Sequence, residues 1–226
     1  MFKICIFLLG LFVCFFNTGL AQVKESQVAN VVNIRSDFNY KDPVQLQIYL
    51  EKKAQQEADE NNKDNEKNNK DNEKLEEPAD LFRVYLTRDR FYNSKNKYRE
   101  DITFSVTSHN MEKNYILDKD CPPYLEIVDT AGNSSIVHFK EMKFDNPYWI
   151  SFSLTEKEIE QMRNIEKAKI ILPEALESMF VENKEKNKIE KRKYDDDIQI
   201  QELSYDIPEE IIQEWKQVLS ADLKRK

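Results

Sequence analysis

The chain has 226 residues, 40% hydrophobic and 34% charged, with a formal net charge of −8, two histidines and only three glycines and three cysteines. Two of the glycines, Gly10 and Gly19, fall in the first 21 residues, and Gly132 stands alone in the rest. Composition therefore excludes a phosphate loop, a G-x-G-x-x-G dinucleotide turn and a G-x-S-x-G nucleophile elbow, each of which needs glycines at fixed spacing.

Residues 1–21 read as a signal peptide. Lys3 precedes an apolar run from Ile4 to Phe16, and small residues at Gly19 and Ala21 set a cleavage point between Ala21 and Gln22. Thirteen apolar residues in a helix reach only about 20 Å, short of the roughly 30 Å of a bilayer core, which argues against an anchor. Lys3 is the one charge in the leader, so its removal leaves −9. Cys5 and Cys14 leave with it, and Cys121 then has no partner for an internal disulfide. The expected location is a periplasm or the cell exterior, with no transmembrane segment after cleavage.

Residues 22–43 form a lead-in with a weak strand signal at Val28–Ile34 and a turn at Asp42-Pro43. A β-rich domain is expected over 44–172. Val44, Leu46, Ile48 and Leu50 alternate with polar neighbours, as do Phe82, Val84 and Leu86, which predicts two strands that pair with each other. Between them, 51–80 is nearly all Glu, Lys, Asp, Asn and Gln and contains NNKDNEK twice, Asn61–Lys67 and Asn68–Lys74. Neither copy holds an apolar residue, so there is no coiled-coil seam, and the composition predicts a disordered insert.

Arg88-Asp89-Arg90 and the polar residues after it read as a connection. Alternation then predicts strands over 102–108, 124–128, 135–139, 148–154 and 168–172, with a short one at Tyr115–Leu117. Asp129-Thr130-Ala131-Gly132-Asn133 reads as a hairpin turn. Thr155 and Glu158 form an S/T-x-x-E capping box, with Leu154 and Ile159 at the staple positions, so a short helix bridges the last two strands. Pro173 should end the final strand. Residues 173–193 read as a charged helix, and 194–226 as a strand followed by an amphipathic helix entered through Asp206 and Glu209. The fold class is mainly β (α+β): an antiparallel β-sandwich-like domain with one short internal helix and a C-terminal helical segment.

Chemistry has few carriers. His109, His138 and Cys121 lack metal-ligand spacing, Asp195–Asp197 lacks the spaced oxygens of a calcium loop, and no cofactor is implied. A Cys121–His109 nucleophile pair is conceivable, but Cys121 sits beside two prolines in a connection. The Lys184–Lys193 run is net +4 without interleaved aromatics, and it reads as a solvated face with no nucleic acid partner. These features point to a non-catalytic binding or envelope-interaction module, with a carboxylate-based hydrolase as the alternative. Its partner would be a protein or envelope component. Ile211, Ile212, Trp215, Val218 and Leu219 form the apolar face of the last helix, suited first to its own sheet and second to a partner's groove.

Overall fold

The computed structural model describes residues 22–61 and 75–224, so the leader, including Ala21, and most of the NNKDNEK tandem lie outside the described residues. The expected class is the one found: among the described residues there are twelve strands in antiparallel sheets and three helices, in a sandwich-like α+β arrangement. The larger sheet has the order β1-β2-β3-β4-β8-β7, where β1 is Gln22–Val28, β2 Val31–Lys41, β3 Asp80–Tyr92, β4 Tyr98–Thr107, β7 Glu141–Asn146 and β8 Trp149–Ser153. The smaller has the order β12-β9-β5-β6, with β5 Tyr124–Asp129, β6 Ser134–Val137, β9 Ile165–Ala175 and β12 Ile200–Ile207. A separate hairpin joins β10 (Phe180–Asn183) to β11 (Lys188–Lys191). The inner face of the larger sheet, through Phe82, Val84, Leu86, Phe104, Val106, Ile150 and Phe152, shares one core with Leu125, Ile127, Ile170 and Leu172 of the smaller.

The strand–helix–strand unit forms as its spacing requires. The Glu158 side chain accepts from Thr155 N at 2.7 Å and Thr155 Oγ1 accepts from Glu158 N at 3.4 Å, closing the box that starts α2 (Glu156–Arg163). Asp129 Oδ1 takes the amides of Ala131 and Asn133, and Gly132 holds the left-handed φ of +83° that the turn between β5 and β6 needs.

Several expectations are corrected. Residues 44–50 belong to a helix, α1 (Pro43–Asn61), which also takes in the first part of the 51–80 segment. Asp42 Oδ1 accepts from Val44 N at 2.9 Å and Gln45 N at 3.1 Å, so Asp-Pro here is an N-cap followed by proline in the first turn. β3 accordingly pairs with β2 and β4. Arg88-Asp89-Arg90 is no connection, since β3 runs on to Tyr92. Pro173 does not stop β9. Its missing N–H falls beyond the last β5 pairing at Ile171, and its carbonyl accepts from Ile116 N at 2.8 Å.

Residues 173–193 are the end of β9 and the β10–β11 hairpin instead of a charged helix. Asn183 Oδ1 accepts from Lys186 N, and Asn187 takes φ +49°, a value asparagine tolerates, so two asparagines set the turn in a stretch where Pro173 and the spacing of Leu176, Met179 and Phe180 suggested a helix.

The C-terminal helix α3 (Glu209–Ser220) is present, but Pro208 is its N-cap and no side chain caps it, so the Asp206/Glu209 box does not form. Its apolar face meets β1, β2, β3, β9 and α2.

The excursion from 42 to 79 leaves and re-enters the larger sheet at neighbouring ladder positions, since Lys41 pairs with Asp80 across β2 and β3 and their side chains meet at 3.1 Å. Loop length then enters stability only through the slow logarithm of closure entropy. Deleting one NNKDNEK copy should change the unfolding free energy by no more than about 0.5 kcal/mol in urea titration; a loss of several would mean that the segment packs on the fold.

Candidate functional site

The apolar face of the last helix, expected first on its own sheet and second in a partner's groove, is not on the surface. Ile211, Ile212, Trp215, Val218 and Leu219 are all at most 2% exposed. They are used up by the chain's own core, where Trp215 meets the edge of Phe104 at 5.7 Å. Gln22, the expected first residue after cleavage, opens β1.

Exposed apolar area gathers instead on the β7–β8 hairpin. Trp149 and Phe144 are each 43% exposed, their rings 4.9 Å apart, and Met142 lies nearby on the same edge strand. The register explains the placement. Phe144 pairs with Ser151 and Asn146 with Trp149, so both rings stand on the outer face of the larger sheet while Ile150 and Phe152 point into the core. A bulge between Met142 and Phe144 sends Lys143 to Asp101 at 2.5 Å and Thr103 at 3.3 Å. On the same face of β4 and β8, Thr103, Ser105 and Ser151 are buried, and Ser105 and Ser151 share a 2.9 Å hydrogen bond. The exposed feature is the aromatic pair beside an open strand edge. The signal is in the alternation itself: Trp149 shares the parity of Ser151 and Ser153, opposite to that of the core residues Ile150 and Phe152.

A second concavity, a groove of 460 Å³, crosses the outer face of the smaller sheet and is lined by Glu126, Ser134, Ile136, Lys167, Lys169 and Asp206 among others. Asp206, Lys169, Glu126 and Ile136 stand in one row across its four strands. The hydrolase reading needs two carboxylates flanking a dry cleft, one of them protonated. Glu126 and Asp206 are two strands apart, roughly 10 Å. Lys169 stands between them, 3.8 Å from an Asp206 side chain that is 85% exposed, and the groove is open to water.

The remaining candidates separate in space. His109 stacks on Tyr148 and His138 leans on Tyr124. Cys121 is half-buried against a small second core of Ile116, Ala175, Met179 and Ile198. Burial, then the charges of Glu202 and Asp118, push its thiol pKa up, the opposite of what an activated nucleophile needs. Among the described residues no three of His, Cys, Asp and Glu converge on a metal position, and no helix is long and apolar enough to cross a membrane.

One titratable group gave no sign in the sequence. Lys191 in β11 is 7% exposed, and its Nζ has no hydrogen-bond partner among the described residues. It lies 5.7 Å from the Tyr148 ring and 5.8 Å from that of Phe180. Those distances approach the limit of cation–π attraction, so two rings return about 1–2 kcal/mol together. Desolvating an ammonium costs several kcal/mol, so burial wins and lowers the amine pKa to about 8.

The chain has two tryptophans, one fully buried and one on the exposed edge. Acrylamide should quench the native fluorescence in two classes, and Trp149→Phe should abolish the accessible class and shift emission to the blue. A single inaccessible class in the unaltered chain would contradict this placement. Compared with known proteins, the chain matches no family model, no curated protein and no solved structure.

Proposed function

We propose that this chain is an exported, non-catalytic binding module that engages a protein or envelope component through the Phe144–Trp149 edge of its larger sheet. The carrying observation is the pair of adjacent, 43%-exposed aromatic rings beside an open edge strand, in a chain whose other large apolar face is buried in its own core. Aromatic side chains give large contact area at small entropic cost, and truncating such anchors commonly costs 2 kcal/mol or more of binding. The Lys143–Asp101 pair and the Ser153 hydroxyl, which donates to Asp101, suit a polar rim. Export is supported by the N-terminal pattern of Lys3, the Ile4–Phe16 run and the small residues before Gln22.

The exported chain, recovered with Gln22 at its N-terminus, serves as bait for envelope and extracellular fractions. Phe144→Ala with Trp149→Ala should reduce capture of its partner at least tenfold, a loss of about 1.4 kcal/mol or more, while leaving the circular dichroism unchanged. Equal capture by both forms, or recovery of the chain uncut from the cytosol, would overturn the proposal.

A further inference from the structure

The β10–β11 hairpin differs from the other strands in how it is held. It forms its own two-stranded sheet and shares no ladder with the two larger ones. Its two stems are joined to each other, Arg192 N to Met179 O at 2.7 Å and Leu176 N to Gln199 O at 2.9 Å. Few polar contacts tie it to the body: Met179 N to Asn114 Oδ1 at 3.4 Å, and Lys193 Nζ to Asp145 of β7 at 3.3 Å. Beneath it lies the second core of Ile116, Ala175, Met179 and Ile198. At the contact sits Lys191, an amine more than nine-tenths buried and without a hydrogen bond.

The groups around that amine do not neutralise it. Tyr148, with His109 stacked behind it, and Phe180 across the ladder supply ring faces. The crevice beside it is lined by Tyr115 and Asp118 from the preceding segment and by Arg192, Lys193 and Tyr194 from the stem. Two of these are cations. Asp118, the single carboxylate of the lining, accepts from Asp120 N and makes no hydrogen bond to the lysine. The crevice has no room for a water molecule, so the ammonium cannot carry its hydration inside.

We propose that the β10–β11 hairpin is a flap: it opens at neutral pH by moving Lys191 out of its cage of Tyr148 and Phe180 into water, and it closes firmly once the amine has lost its proton. Opening would uncover the second core next to β7, whatever the Phe144–Trp149 edge binds. The sign follows from linkage. Burial holds the closed amine near pKa 8, whereas a hydrated lysine has the ordinary value of 10.5. The open form therefore binds the proton more tightly. Opening is most favourable below pH 8 and weakens about tenfold per pH unit as pH rises from about 8 towards 10.5.

Amide hydrogen exchange over residues 180–191, corrected for intrinsic rates, reads the equilibrium directly. At pH 7, Lys191→Met should slow exchange there about a hundredfold, leaving the amides of β3 and β4 unaffected. In the unaltered chain, protection of the same amides should increase between pH 8 and 10. Unchanged or faster exchange in Lys191→Met would overturn the flap, as would a flat pH profile in the unaltered chain. That profile decides alone if the variant fails to fold.

Discussion

The fold depends on an arginine face that receives the C-terminal end of α3. Arg88 and Arg90 continue the inward parity of Phe82, Val84 and Leu86, so β3 ends by pointing two guanidinium groups at the core. The last carbonyls of a helix have no partners inside it, and the macrodipole makes that end negative. Here Arg88 Nη1 donates to Leu219 O at 2.9 Å and Ala221 O at 2.8 Å, and Arg163 of α2 donates to Leu219 O at 2.9 Å. Arg90 donates to Leu223 O, and Tyr92 reaches the same oxygen at 2.9 Å. Asp222 lies 3.6 Å from Arg90, and Glu100 on β4 pairs with both arginines. Burial alone would raise its pKa, but the hydrogen bonds from Arg90 and Arg88 outweigh it and hold the carboxyl below the usual carboxylate range. Its contribution is therefore present above the unfolded carboxyl pKa and is lost as pH falls through the lowered one.

This arrangement determines which apolar side chains remain exposed. With Trp215 and its neighbours committed to the core and the helix end satisfied, α3 has no apolar face left to offer. What remains is at the opposite margin of the larger sheet, on β7 and β8, and in the flap that borders β7 through Lys193 and Asp145. Both features sit where ordinary packing rules are locally broken, by exposed aromatic rings in one case and a buried unpaired amine in the other. Such breaks are where function is expected when the rest of a chain is consistent with its fold.

Much of the fold was legible because local and tertiary signals agreed. The Thr155–Glu158 box, the Asp129–Asn133 turn, the alternation in β4 and β8 and the apolar stripe of α3 are each fixed by near neighbours and then buried as the pattern demands. The errors came where one short pattern fits two structures. Val44 to Leu50 alternates like a strand, yet Asp42-Pro43 starts a helix that leaves Val44 and Ile48 exposed. Arg88 and Arg90 looked like loop residues because their justification lies some 130 positions away, at the end of α3. Residues 173–193 read as helical because Pro173 and the spacing of Leu176, Met179 and Phe180 fit a helix start, while two turn-forming asparagines are a weaker signal. Of the proposed binding surface, Trp149 could be inferred by parity. Phe144 could not, since its face depends on a bulge with no sequence signature.

The most direct test of this account is the unfolding free energy of Arg88→Met beside that of Arg83→Met, an exposed arginine on the outer face of the same strand. Losing the buried guanidinium leaves the Ala221 carbonyl without its donor and takes one of two donors from Leu219 O and one of two arginines from Glu100, so Arg88→Met should cost about 3 kcal/mol, while Arg83→Met should cost less than about 1 kcal/mol. Equal small losses at both positions would show that α3 is held by its apolar face alone and would contradict the account.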